Sequence, residues 1–235
     1  MFRKRGVMKR ISITTLETYR KFLAGDERTD QDAMIAAITS PFLGNEYTRI
    51  GSAFHAIVEQ GEAAIEELPE MGKFRVTVDG KWPVIFNEDQ VAMALKYRDK
   101  LPFAFHEEWI GREFDTPSMP IWVHGRVDVL HGIFIRDIKT KYSKIKLEEY
   151  TESAQWKFYL DLTGLDTFYF DLFEFPNYKI DKHGYDVSSL GIRPYGAIEC
   201  IRYDGMEAEN RQLVCDFTDF IVRHDLTSYL KDRAF

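Results

Sequence analysis

Asp128, Asp137 and Lys139 form the grouping in this chain best placed to do chemistry. They lie in Gly125-Arg-Val-Asp128-Val-Leu-His-Gly-Ile-Phe-Ile-Arg-Asp137-Ile-Lys139-Thr140, where β-branched residues flank His131-Gly132. Two strands are expected, over 121–130 and 133–140, joined by a two-residue turn at His131-Gly132. Glycine takes a positive φ freely there, and histidine tolerates one better than most residues. That register pairs Leu130 with Ile133, Asp128 with Ile135 and Arg126 with Asp137. Arg126, Asp128, Asp137 and Lys139 then share one face, the two aspartates being diagonal neighbours roughly 7 Å apart. Two carboxylates this close repel unless a cation lies between them, and Mg2+ or Mn2+ is the oxygen-seeking choice. The neighbouring lysine could orient or help deprotonate a water on that cation and steady charge on a phosphate. The plain alternative is an exposed strand face with an Asp–Arg pair and a solvated lysine.

Other elements must bring further groups to this hairpin. Gln155 and Tyr159 stand four apart on a helix expected over 146–162, so they share a face. His55, in Gly51-Ser-Ala-Phe-His55, falls on a helix expected over 49–68, with Glu59 one turn later. A neutral imidazole can complete a carboxylate-rich cation site. Apolar periodicity predicts further helices over 12–23, 30–38, 88–101 and 206–230, and strands over 74–78, 167–174 and 196–203. The stretch 177–191 reads as a loop or hairpin. Mixed strands with helices between them make an α/β domain.

The 235 residues are 45 % apolar and carry a net charge of −7, which excludes a generally basic nucleic-acid binder. Residues 1–10 are the exception, with Arg3, Lys4, Arg5, Lys9 and Arg10 and no acid. They read as an arm that is either a disordered solubilising tail or a contact for phosphates; residues 11–235 read as one domain. Two unrelated cysteines, Cys200 and Cys215, with no CxxC, speak against a zinc site or an iron–sulfur cluster. No stretch approaches 18 apolar residues, so no membrane span is expected and the chain reads as cytoplasmic.

Taken in order, G-x-x-x-H (Gly51–His55), G-x-x-D (Gly125–Asp128), D-x-K-T (Asp137–Thr140) and Q-x-x-x-Y (Gln155–Tyr159) resemble the motif series of RecB-like PD-(D/E)XK nucleases. The opening Ile11-Ser-Ile-Thr-Thr-Leu-Glu-Thr-Tyr19 is similar to the start of that family. The resemblance spans roughly residues 11 to 160 and leaves the C-terminal third uncovered. It implies a restriction-endonuclease-like core, a mixed central β-sheet flanked by helices. It also implies that Asp128, Asp137, the backbone carbonyl of Ile138 and His55 bind Mg2+ or Mn2+. Lys139 would serve the attacking water and the scissile phosphate, and Gln155 and Tyr159 would hold the DNA strand and brace the site. A further glutamate from a preceding strand is common in the family; Glu107, Glu108 and Glu113 compete for that place. The cysteine cluster and helicase domain of some relatives are missing, and the size matches phage-type recombination exonucleases.

The implied reaction is metal-dependent hydrolysis of DNA phosphodiester bonds, exonucleolytic rather than endonucleolytic, in recombination, repair or phage DNA processing. Arg126, Lys141 and Lys144 are candidate phosphate contacts. The net charge of −7 makes weak non-specific affinity for DNA expected. That favours a homo-oligomeric ring or tunnel, or a recombination or single-strand-binding partner protein. The alternatives are a catalytically silent DNA-binding or scaffold module of the same fold, and a structure-specific endonuclease.

Overall fold

β-branched and aromatic residues concentrate in short runs separated by helices that begin on capping residues, and each run becomes a strand. The computed structural model describes residues 8–26, 29–40 and 43–233. In chain order the elements are β1 (Lys9–Ser12), α1 (Ile13–Leu23), α2 (Gln31–Thr39), α3 (Glu46–Gln60), β2 (Glu66–Leu68), β3 (Lys73–Val78), β4 (Trp82–Phe86) and α4 (Glu88–Asp99). There follow β5 (Phe105–Phe114), β6 (Ile121–His131), β7 (Phe134–Lys141), α5 (Glu148–Thr151), α6 (Ala154–Thr163), β8 (Thr167–Glu174), α7 (Ile180–His183), β9 (Arg193–Ile201) and α8 (Met206–Arg223). Ser12, Asp30, Asn45, Asn87 and Ser153 each accept a backbone N–H at the start of a helix, satisfying one donor that the helix cannot.

The main sheet is mixed and organised around β6. Along one edge β6 pairs with β5, antiparallel, from Phe105↔Leu130 to Phe114↔Ile121. Its other edge is shared. Parallel β1 occupies residues 121–124 and antiparallel β7 occupies residues 129–131, so Gly125–Asp128 face no strand there. β8 runs parallel to β7, and β9 runs antiparallel to β8. Helices cover both faces. On one, α1, α6 and α8 pack Leu16, Phe158, Tyr159 and Phe217 against Val127, Phe168 and Phe170. On the other, α3, α4 and the small sheet β2-β3-β4 pack Ile50, Phe54, Val84 and Phe86 against Val129, Ile138 and Phe173. The expected mixed sheet flanked by helices is the one observed.

Several boundaries differ from expectation, each for a local reason. The turn after β6 is Gly132-Ile133, and His131 pairs with Phe134, so the register is shifted by two residues. Gly132 takes the positive φ (+61°) at the first turn position, as a Gly-X turn requires. The helix expected over 49–68 starts at Glu46 and ends at Gly61, whose φ of +66° closes it, leaving β2 to follow. The helix expected over 146–162 breaks into α5 and α6 because Ser153 starts a new cap. The last helix stops at Arg223, short of 230. β1, β4 and β5 were not expected. Pro83 disguises β4, an edge strand where proline is tolerated, and the loop Asp79-Gly80-Lys81 before it has two positive φ values. Of the basic arm, Arg3, Lys4 and Arg5 lie outside the described residues, whereas Lys9 and Arg10 open β1.

Candidate active site

β6 and β7 part company just where the acidic residues stand. Their ladder ends at Val129↔Arg136; one step further Asp128 would face Asp137, but no backbone pair forms. Instead the Asp128 carboxylate accepts the Ile138 N–H at 2.8 Å, holding the two strands together through a side chain. Higher up the open edge, the Tyr159 hydroxyl donates to the Arg126 carbonyl at 2.8 Å, so α6 fills the gap that a strand leaves. β6 also turns over here. Val127 belongs to the first core and Val129 to the second, although residues two apart on an ideal strand share a face. The same-face argument made from strict alternation therefore does not extend through Asp128. On the other edge Glu107 stands opposite Asp128 with φ at +57°, and the ladder skips this one pair while keeping its register. A left-handed glutamate costs conformational energy, and such strain persists where surrounding structure imposes it.

The result is a group of His55, Glu107 and Asp128 whose potential ligand atoms lie within 4.8 Å of one another. Of the three competing glutamates, Glu107 is the one that reaches the site; Glu108 and Glu113 are exposed. No pattern in the sequence marks a left-handed residue, so this choice was not legible there. His55 comes from α3, which approaches closely because Gly51 has no Cβ; one built there would sit 2.9 Å from Thr140 Oγ1. Gly125 serves the opposite layer, since a Cβ would lie 2.6 Å from Ile13 Cδ1 and 2.7 Å from Tyr159 Cε1. The glycines of both motifs are thus packing requirements. His55 Nε2 donates to the Ile138 carbonyl at 2.9 Å, so these two expected ligands are hydrogen-bonded to each other. That bond leaves Nδ1 directed to the acids, 3.6 Å from Asp128 Oδ2.

Asp137 is 2 % exposed. Its Oδ1 accepts from Gln155 at 2.7 Å, and its Oδ2 meets Lys139 Nζ at 2.7 Å. Burial is the main reason that its carboxyl is pushed up to about 6; Lys139 opposes the shift and Asp128 adds to it. Burial acts to lower the Lys139 pKa, but Asp137 and Asp128 outweigh it and hold the ammonium above its ordinary value. The Glu107 carboxyl is raised, first by burial and then by Asp128. Glu107 Oε2 and Asp137 Oδ2 are buried without a hydrogen bond, each meeting only a cation, Arg126 and Lys139 respectively. Buried carboxylate oxygens with unused lone pairs, beside an imidazole, form a donor set suited to an oxygen-preferring divalent ion.

Lys139 lines two clefts. One, of about 510 Å3, lies towards α3 and is lined also by Thr48, Ser52, His55 and Tyr142. The other, of about 640 Å3, lies towards α1 and α5 and is lined also by Arg20, Lys21 and Gln155. Tyr159 is buried, and its hydroxyl braces β6 from within the core. Arg126 is exposed and ion-paired with Glu107; Lys141 pairs with Glu149 at 3.1 Å, and Lys144 is exposed in the loop after β7. Glu17 is a positioning residue not singled out in the sequence: its Oε2 accepts the Ala154 N–H at 2.7 Å, at the start of the helix that carries Gln155.

This chain belongs to the PD-(D/E)XK nuclease superfamily, whose family profile matches residues 10–173. No curated protein matches it in sequence. Among solved structures its fold is similar to that of a protein from Eubacterium rectale named as a candidate exonuclease, with 13 % identity and a TM-score of 0.50 over 95 % of this chain and 84 % of that one. It is similar also to a phage-related exonuclease from Haemophilus somnus 129PT, with 12 % identity and a TM-score of 0.43 over 89 % of this chain and 94 % of that one. At such identities the likeness concerns the fold. Among the described residues no helix is long and apolar enough to cross a membrane.

Proposed function

We propose that this protein is a Mg2+- or Mn2+-dependent deoxyribonuclease acting from DNA ends, working as one domain over residues 11–235. The observation that carries the reading is the meeting of His55, Glu107 and Asp128 beside the ion pair of the buried Asp137 with Lys139. The donor set fits a divalent ion, with His55 Nδ1, Glu107, Asp128 and Asp137 as the side chains to hold it. The Ile138 carbonyl would join them once His55 Nε2 releases it. When bound, the ion would lower the pKa of a water and offset charge on the phosphate.

The remaining work belongs to the chain's own groups. Lys139, held protonated by two carboxylates, supplies a fixed positive charge to the phosphate rather than a base. Gln155 fixes the rotamer of Asp137 through its hydrogen bond to Oδ1. Tyr159 fixes the β6 backbone two residues before Asp128. Hydrolysis forms a bond from water oxygen to phosphorus and breaks the bond to O3′, leaving a 5′-phosphate and a 3′-hydroxyl. Membership of a nuclease superfamily supports DNA as the substrate. The exonuclease assignment draws on the named activity of the Eubacterium rectale protein of similar fold.

The test uses end-labelled linear DNA and covalently closed circular DNA, each with Mn2+, Mg2+ or EDTA. Loss of the linear substrate alone, with either metal and not with EDTA, is the expected outcome. Cutting of the circle would make the protein an endonuclease. Intact DNA under every condition would leave the silent-module reading standing.

A further inference from the structure

On β5 and β6 a row of paired residues leads away from the site's carboxylates, beginning at Arg126, which is ion-paired with Glu107. The rungs on that face are Trp109 opposite Arg126, Gly111 opposite His124 and Glu113 opposite Trp122. β1 extends the face beyond β6, with Arg10 beside Trp122 and Ser12 beside His124. The C-terminal segment lies against β1 in turn. Arg10 N donates to the Lys231 carbonyl at 2.9 Å, and Arg233 N donates to the Met8 carbonyl at 2.8 Å. The Arg233 guanidinium sits 3.3 Å over the Trp122 ring, and that of Arg126 lies 5.7 Å from the Trp109 ring. The missing Cβ of Gly111 makes room for the Trp122 indole, whose Nε1 would otherwise lie 2.6 Å from it. Trp109 is 66 % exposed. Clefts of about 550 and 370 Å3 open beside it, and Arg10, Trp109 and His124 line both.

We infer that this face takes a single-stranded segment of DNA, stacking a base on Trp109 and meeting phosphates with Arg10, Arg126, Lys231 and Arg233, and leads it to the carboxylates. The inference rests on the proposed nuclease reading and adds a strand-binding track to it. A surface indole with cations lining the clefts beside it is the combination that binds single strands with little regard to sequence, because every base has a π-face and every step a phosphate. A protein-docking patch would instead be depleted of charge at its centre. Burial, followed by Arg10 and Lys231, lowers the His124 pKa. The six steps along the strand from Trp122 to Asp128 span about 20 Å, room for several nucleotides. In a chain of net charge −7, a local track of this kind gives the polyanion a place to bind.

The experiment measures anisotropy of a 5′-labelled oligothymidylate in EDTA with wild type, Trp109→Ala, Trp109→Phe and, as an exposed aromatic elsewhere, Tyr195→Ala. Trp109→Ala is expected to weaken binding by about 10-fold or more, with Trp109→Phe intermediate and Tyr195→Ala like wild type. Arg10→Ala is expected to reduce the slope of log affinity against log salt by about 0.7, one phosphate contact on a single strand. Affinities of wild type and Trp109→Ala within about twofold of each other would overturn the track. If wild type then still degrades linear DNA with Mn2+, the nuclease reading survives alone; if it neither binds nor cleaves, both fall. A change of oligomeric state in Trp109→Ala at unchanged DNA affinity would make the face a contact between copies and would equally overturn it.

Discussion

Asp137 is the most constrained residue of the site, because burial disfavours its charge while Lys139 and the expected cation require it. Its folded pKa is raised from 3.8 to about 6, so over that interval the folded state holds a proton that the unfolded state has lost. Stability should therefore fall as pH rises through this window. In EDTA the Tm of the wild type is expected to drop between these pH values, whereas Asp137→Asn should show a flatter profile; parallel profiles would contradict the assignment. Lys139 is the counterpart. Lys139→Ala removes the cation that faces Asp137 Oδ2 and should reduce the cleavage rate by about 10² to 10³. Lys139→Arg, retested over pH, separates charge from placement: a base would be lost in both variants, and a fixed charge only in the alanine.

The elements matter here through the opening between β1 and β7 on one edge of β6. Tyr159 and Gly125 keep that opening in shape from the α6 side. Tyr159→Phe should cost about 1 kcal/mol in denaturant unfolding and lower kcat as well, because the freed Arg126 carbonyl lies two residues from Asp128. Gly125→Ala should cost about 1–3 kcal/mol, since the new methyl meets Ile13 and Tyr159. Equal kcat in wild type and Tyr159→Phe would show that the brace is structural only. The strands over 121–130 and 133–140 were legible from β-branched residues around a glycine, and the spacing of Gln155 and Tyr159 correctly placed them on one helix. The two-residue register shift was harder, because His131-Gly132 and Gly132-Ile133 both satisfy turn chemistry and long-range contacts decide between them. Glu107 stayed unresolved among three glutamates for a similar reason. Its selection depends on a left-handed backbone opposite Asp128, and local sequence does not encode that. β5 itself, with its polar and exposed positions, lacks the apolar alternation that reveals a strand.

At the scale of the molecule, the two cores use opposite faces of one sheet, and the site lies where β6 passes from one to the other. A network around the buried Asp171 ties the second layer down independently of the site. Arg136 Nη1 donates to Asp171 at 2.9 Å, and the Tyr97 hydroxyl of α4 donates to the same carboxylate at 2.7 Å. Tyr97→Phe should thus lose about 1.5–3 kcal/mol of stability while leaving the specific activity of folded protein unchanged, a pairing that urea unfolding and a cleavage assay check together. The central claim is narrower than the fold. In the proposed function, the acids grouped around Asp128 and Asp137 would hold a divalent ion on which the hydrolysis of DNA depends. The most direct measurement is the initial rate of Mn2+-dependent cleavage of end-labelled linear DNA by wild type and by Asp137→Asn, both confirmed as folded. A fall of about 10³-fold or more in the variant, with no cleavage by either protein in EDTA, is the expected result. Equal rates, or cleavage that continues in EDTA, would contradict it.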